Sequence, residues 1–308
     1  MRMIPQPSPE RTGVIYAVSA YGLWGFLPLY FLLMAPAGPI EIVAWRILFS
    51  LAFCVIVIAV TRRSSALLAI LRHRKQVFLL GLSGLLIVLN WQIYVFAVVT
   101  GHVTEAALGY FINPIVTVLL GVLFLREKLR AAQWAAMALA AVAVLVLAFN
   151  YGTFPWISLG LAFSFGFYGL TKKSVGGTVD ALSGLTIETA WVIPVAAAQL
   201  VFVGLTTGVT FGTAGVANTL ILLSVGIVTA VPLLLFAASA RRLRLATIGL
   251  IQFLTPMLQF VIGAFVLHEA MPPSRWIGFG LVWVALVILS IDMVAGSRTD
   301  RRALPLPG

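Results

Sequence analysis

The chain has 308 residues, of which 61% are hydrophobic and 9% charged, with a mean hydropathy of +1.09 and a formal net charge of +11. A soluble domain is about one-quarter charged, so a water-soluble globular fold is excluded. The surplus positive charge would suit nucleic acid, but it sits in the turns between apolar runs, which points to a membrane surface instead.

Ten apolar runs are predicted as helices: 13–33, 40–60, 77–98, 105–125, 132–149, 156–173, 181–205, 217–239, 247–267 and 275–295. Each is close to the ~20 residues that cross a hydrocarbon core of about 30 Å. They are continuous, whereas barrel strands are short and alternating. The first run is followed by Ala35-Pro36-Ala37, which looks like a leader-peptidase site. Its apolar stretch is longer than a usual leader core, so it is read as an uncleaved span. The lone Cys54 falls in the second span, excludes an intramolecular disulfide and reads as a core residue.

With the N-terminus inside, ten spans put all but Arg46 and Arg275 of the 20 Lys and Arg residues on the cytoplasmic face. The turns concerned hold Arg62, Arg63, Arg72, Arg74 and Lys75, then Arg126, Lys128 and Arg130, then Lys172 and Lys173, then Arg241, Arg242 and Arg244. Arg2, Arg11 and the C-terminal Arg298, Arg301 and Arg302 complete the set. This is the positive-inside pattern, and one missed helix would invert every later turn. Both termini are therefore predicted in the cytoplasm, in a multi-pass protein of the cytoplasmic (inner) membrane.

The chain repeats itself. "YFINPIVTVLLGVLFLREKL" from Tyr110 aligns with "QFLTPMLQFVIGAFVLHEAM" from Gln252 at an offset of 142. Phe111 meets Phe253, Pro114 meets Pro256, Gly121 meets Gly263, Glu127 meets Glu269 and Trp134 meets Trp276 without a gap. Two five-span halves are expected, 1–150 and 151–296, followed by a cytoplasmic tail, 297–308. An odd number of spans per half makes the second half enter the membrane inverted. The fold class predicted is an all-α polytopic membrane protein of two inverted five-helix repeats, an architecture common in secondary transporters.

Several stretches carry a resemblance beyond this pattern. They are "AYGLWGFLPLYF", "EIVAWRILFS", "LNWQIYVFAV", "EAALGYFINPIVTVLLGVLFLREKL", "LGLAFSFGFYGL", "IETAWVIPVAA" and "IVTAVPLLLFAASARRLRLATIGLIQFLTP". Together they make the chain similar to the EamA branch of the drug/metabolite transporter superfamily, and within it to the RarD, or chloramphenicol-sensitivity, group. The sequence departs at Ala44–Arg46, where a histidine often stands before the arginine. The resemblance implies ten helices in two inverted halves and carrier-type transport of a small solute, with export as the direction.

The candidate pathway residues are polar groups inside spans, because such groups facing lipid are costly. Tyr110, Asn113 and Thr117 share a helix face at i, i+3, i+7, and Gln252, Thr255 and Gln259 occupy the matching positions. The two stripes are expected to face each other across one central pathway, with interhelical hydrogen bonding as the plainer alternative. Pro114 and Pro256, inside the stripes, are hinge candidates, and Pro28, Pro194 and Pro232 weaker ones. Asn90 and Tyr94 share a face of the third span, and Trp24 and Tyr168 are mid-span aromatics expected at the cavity.

Two charges lie within spans, Arg46 and Glu188, again 142 apart. Arg46 is placed about 9 Å from the outer end of its helix and Glu188 about 10 Å from the inner end of its own, so a direct pair is not expected. Arg46 is expected on Glu41 or Glu105. Glu188, with no evident basic neighbour, is a charge- or proton-coupling candidate. Glu127 and Glu269 are read as structural pins that reach forward to the helices opening before Trp134 and Trp276.

No glycine-rich phosphate loop, metal-ligand cluster or catalytic constellation is recognisable in the sequence, and no cofactor is predicted. The expected partners are a small-molecule solute and the lipid bilayer, with a homodimer as the alternative to a monomer and no nucleic acid. The function expected is a secondary carrier working by alternating access rather than an enzyme. The rival is a membrane scaffold or lipid-handling enzyme without a transport cycle.

Overall fold

In a bilayer the backbone has no water to bond, so each segment must satisfy its own N–H and C=O groups. The computed structural model describes residues 9–99, 103–148 and 156–266, with isolated positions from 276 to 288, and these contain helices and no strand. The helices are α1 (Pro9–Gly25), α2 (Leu27–Leu32), α3 (Pro39–Thr61), α4 (Ser64–Leu71), α5 (Arg74–Val99), α6 (Val103–Leu125) and α7 (Ala131–Ala148). They continue with α8 (Trp156–Val175), α9 (Ala181–Trp191), α10 (Ile193–Thr206), α11 (Val216–Ala240), α12 (Leu245–Ile251) and α13 (Leu254–Val261), the last running into a π turn, Ile262–Val266.

Among the described residues, α3, most of α5 and α11 are long and apolar enough to cross a membrane, and α9 with α10 make a fourth such segment bent by 47°. Among the described residues, helices cover the first nine predicted runs apart from short breaks. The tenth lies largely outside the described residues.

Three runs are broken, each beside a proline. α1 and α2 part at Phe26, and Pro28 stands in the first turn of α2. α9 and α10 part at Val192, and Pro194 stands in the first turn of α10. α12 and α13 part at Gln252 and Phe253, ahead of Pro256. Pro256 has no N–H for the Gln252 carbonyl, and the Thr255 N–H takes that carbonyl instead at 3.2 Å in a tighter turn. Pro114 and Pro232 sit inside uninterrupted helices. The hinge expectation thus separates: Pro256 lies at a break and its partner Pro114 does not.

The 142-residue offset recurs in the helix starts. α3 and α9 begin at Pro39 and Ala181, α5 and α11 at Arg74 and Val216, and α6 and α12 at Val103 and Leu245. The two halves of the chain are interleaved rather than separate. α6 and α5 both pack along α8, α3 along α11, α1 along α11 and α13, and α6 along α12.

Glycines permit that interleaving. A Cβ on Gly84 would lie 2.6 Å from the Glu188 carbonyl oxygen, and one on Gly226 would lie 2.4 Å from the Phe49 carbonyl carbon. These two glycines are themselves one offset apart, on α5 against α9 and on α11 against α3. Small residues let helix backbones approach where lipid supplies no hydrophobic drive.

Carboxylates pin the halves at both ends. The buried Glu41 accepts hydrogen bonds from Trp45 Nε1 at 3.1 Å, the Thr210 N–H at 2.9 Å, the Thr210 hydroxyl at 3.0 Å and the Phe211 N–H at 3.1 Å. Glu127 accepts from the Leu245 and Ala246 N–H groups, both at 2.7 Å. Glu127 therefore caps α12, the counterpart of its own helix, and not the next helix as the sequence suggested. A free helix N-terminus carries unpaired N–H groups and partial positive charge, so it holds a carboxylate from wherever the fold brings one. Glu269 lies outside the described residues.

The backbone contact at Gly226 yields a test. Gly226→Ala places a methyl group against backbone that no rotamer change relieves, and is expected to lower stability by about 1–3 kcal/mol. Gly22→Ala, with nothing within 4 Å of the new methyl, should be neutral or stabilising by up to about 1 kcal/mol. Thermal unfolding of the purified variants in detergent measures both.

Candidate functional site

Where the halves cross, polar and aromatic side chains surround a partly open cavity of about 100 Å³. α1 and α2 supply Tyr21, Trp24, Leu27 and Phe31; α3 supplies Arg46; α5 supplies Ile87, Asn90, Trp91 and Tyr94. α6 supplies Tyr110 and Asn113, α8 and α11 supply Phe165 and Leu233, and the break between α12 and α13 presents Gln252, with Thr255, Pro256 and Gln259 following on α13. Arg46, Tyr94, Tyr110 and Asn113 lie in the helix halves remote from the basic turns at 62–75 and 126–130, whereas Leu233, Gln252 and Thr255 lie in the segments nearer the turn at 241–244.

Of the ten sequence-predicted pathway residues, Trp24, Asn90, Tyr94, Tyr110, Asn113, Gln252, Thr255 and Gln259 line the cavity. Thr117 lies just below it, 2% exposed, and donates to Gln252 Oε1 at 3.3 Å. That hydrogen bond joins the two stripes. Thr255 donates to the Tyr21 carbonyl at 2.7 Å, and Gln259 Nε2 donates to the Trp24 carbonyl at 3.4 Å. The second stripe is thus bound to α1, along which α13 packs, as well as to Thr117 of α6. Below the cavity the twin helices close tightly: a Cβ on Gly249 would lie 2.7 Å from Val118 Cγ2 and 3.1 Å from the Pro114 carbonyl oxygen.

Asn90 has a partner already. Its Nδ2 donates to the Leu161 carbonyl at 2.9 Å and to Ser164 Oγ at 3.0 Å, tying α5 to α8. Asn113 differs: its Oδ1 is buried with no hydrogen-bond partner, and so is the Tyr21 hydroxyl. Both belong to residues on the cavity wall.

Tyr168 is displaced from its expected place. It is fully buried, outside the cavity lining, and stacked on Phe236 at 5.6 Å and 18°. Together with Tyr21, Trp24 and Phe165, these rings form a layered floor. Tyr21 meets Trp24 edge-on at 5.4 Å, and Trp24 meets Phe165 edge-on at 5.7 Å.

Under that floor lies a buried ion pair. Lys172 Nζ donates to Glu188 Oε1 at 2.7 Å, with side chains 3% and 1% exposed, and Lys172 Nζ stands 5.6 Å from the Tyr168 ring centroid. The expectation that Glu188 has no basic neighbour is overturned, and so is the placing of Lys172 in a solvated turn. The helix that ends the sixth run continues to Val175, carrying Lys172 inside. Lys173, one residue on, turns the other way and donates to the Leu243 carbonyl.

Arg46 is not on Glu188, as depth predicted, and it is not on Glu41 either. Its Nε donates to Thr229 Oγ1 at 3.1 Å, and its guanidinium lies over the Trp91 ring at 4.4 Å, with Phe31 at 5.6 Å. Glu41 is engaged by the α10–α11 connection instead, and the Glu105 side chain lies outside the described residues.

Sequence reasoning missed Tyr21, Phe31, Trp91 and Phe165 as cavity residues. One signal was present: Trp24, Leu27 and Phe31 repeat the i, i+3, i+7 spacing of Tyr110, Asn113 and Thr117.

Comparison with known proteins accords with this geometry. Residues 11–149 match the model of the EamA-like transporter family. The chain is 45% identical over 295 residues to protein RarD of Streptomyces exfoliatus, covering 96% of this chain and 93% of the relative. It is 40% identical over 288 residues to protein RarD of Escherichia coli strain K12, covering 94% and 97%. A solved structure described only as the crystal structure of a protein superimposes with a TM-score of 0.68 at 18% identity, over 91% of this chain and 97% of that one. At that identity it shows a shared fold alone. Apolar helices and near full-length kinship make this a multi-pass membrane protein with a transporter's role, and the chain belongs to the RarD group of the EamA-like transporter family.

Proposed function

We propose that the protein is a secondary carrier that moves a small solute by alternating access, with ten helices in two inverted five-helix repeats and both termini cytoplasmic. The membrane is the cytoplasmic one, and the direction is export, by analogy with the family. The observation that carries the proposal is the cavity. It is ring-lined, carries polar groups and Arg46, is partly open, and is built where helices of both chain halves cross.

The helix starts that recur at 142 residues support the repeat, and the charge pattern supports the orientation. In that orientation the cavity opens outward. The aromatic floor and the Lys172–Glu188 pair seal the cytoplasmic end. The scaffold reading has no use for a cavity with unsatisfied acceptors on its wall. The lipid-enzyme reading calls for a lipid-facing groove with paired catalytic groups, whereas Asn113 and Arg46 face a cavity between helices whose described lining holds no carboxylate.

The seal makes a thermodynamic prediction. Removing one member of a buried ion pair strands the other, at about 3–5 kcal/mol. Lys172→Met alone should therefore destabilise far more than Lys172→Met combined with Glu188→Met, in which no charge is left buried. Chemical or thermal unfolding of the two variants measures the difference.

The carrier reading is tested by solute counterflow with the purified protein in liposomes, screened against amino acids, central metabolites and chloramphenicol. At least one solute should be exchanged above protein-free liposomes, and none exchanged across a broad panel would contradict the reading. Asn113→Leu should reduce that exchange about tenfold or more. Its effect on stability should stay within about 1 kcal/mol, since the wild-type carbonyl oxygen is unsatisfied. A loss of stability without a loss of exchange would assign Asn113 to packing.

A further inference from the structure

The charge of the cavity wall is unbalanced. Among its described lining residues Arg46 is the one charged side chain, and no aspartate or glutamate accompanies it. Two carboxylates that could neutralise it are engaged elsewhere, Glu41 by Trp45, Thr210 and Phe211, and Glu188 by Lys172, while the Glu105 side chain lies outside the described residues. Arg46 is 8% exposed, so water does not fully surround it either.

The geometry of its partners is specific. Thr229 takes the Nε hydrogen and Trp91 covers one face of the guanidinium. What remains is the edge bearing the two terminal nitrogens, with four N–H donors in a planar fork. That edge fits a carboxylate with two parallel hydrogen bonds. An arginine inside a membrane is expensive unless paired or hydrated.

We propose that the cavity selects a small organic monoanion, a carboxylate with an aromatic or apolar body, and that Arg46 takes the carboxylate. This rests on the carrier reading above and adds the chemical class of its solute. Trp24, Tyr94 and Phe165 supply ring surface for the body of the solute. The unpaired Asn113 Oδ1 accepts one N–H or O–H from it.

The alternatives fit less well. A cation would face Arg46 with no described counter-charge on the wall, and the aromatic face nearest to the charge, that of Trp91, is already covered by Arg46. A neutral solute would exclude water from the guanidinium edge and leave it unpaired. A dianion would bring more charge than the wall balances. A zwitterion would leave its ammonium with only neutral acceptors.

Three probes of one shape decide the matter: 3-phenylpropionate, 3-phenylpropanamide and 3-phenylpropylamine. Their binding to the full-length purified chain is measured by equilibrium dialysis in detergent micelles. The carboxylate should bind at least tenfold more tightly than the amide, and the amine most weakly. Arg46→Gln should bring the carboxylate to the level of the amide while changing amide binding less than twofold. Arg46→Lys should keep part of the preference.

An amide or amine that binds the native protein as tightly as the carboxylate overturns the proposal. So does an unchanged preference in folded Arg46→Gln, or the failure of all three probes to bind. The comparison on the native chain stands even if the variant does not fold. Counterflow separates this proposal from the carrier reading. A carboxylate that binds but is never exchanged contradicts the carrier, whereas exchange of the amine or amide but not the carboxylate contradicts the solute class.

Discussion

A polar group in the low-dielectric interior of a membrane protein must find its partner within the fold, because lipid offers none. That constraint organises this molecule. Glu41 takes four donors, Glu127 caps a helix 118 residues away, Lys172 and Glu188 hold each other, and Asn90 bridges α5 to α8. Buried oxygens without a partner occur in several places, on Ser83, Ser183 and Asn218 among others, and two of them, Asn113 Oδ1 and the Tyr21 hydroxyl, are on the cavity wall. Arg46, Asn113 and Tyr21 face the cavity with bonding capacity left over, and the cavity is where a solute would meet them.

Packing and site are one arrangement. Close approach at Gly84, Gly226 and Gly249 brings helices of the two chain halves together, and that leaves room elsewhere for a cavity between them. The breaks near Pro28 and Pro256 lie beside that cavity. Beside the break ahead of Pro256, Thr255 and Gln259 donate to the Tyr21 and Trp24 carbonyls of α1. A bond network that spans the halves at the floor is what a conformational exchange between two closed ends would have to remake.

Much of this was legible in the sequence because it follows from local pattern. Hydropathy placed the helices, and the charge of the turns gave the orientation expected. The 142-residue repeat singled out the stripes at Tyr110 and Gln252, most of whose members reach the cavity wall. What was not legible depends on tertiary placement. Nothing near Arg46 in sequence shows that Trp91, 45 residues on, will lie beneath its guanidinium. Lys172 reads as a solvated turn residue until α8 is seen to run to Val175. Glu127 has an equally good local cap to offer, and only the crossing of α6 and α12 redirects it. Tyr168 and Trp24 look equivalent, yet one stacks under Phe236 and the other borders open space.

The central claim is that this cavity opens alternately to the two faces of the membrane, and site-directed thiol labelling tests it most directly. Cys54, the one native cysteine, is buried and is replaced by serine as background. A cysteine at Gln259 reports the open end and one at Thr117 reports the sealed floor. The account predicts that Gln259→Cys reacts with a membrane-impermeant reagent from the face opposite the basic turns. Thr117→Cys should react from the basic face during solute exchange and be protected without it. A Thr117 cysteine that stays unreactive from the basic face throughout sustained exchange would contradict alternating access through this cavity.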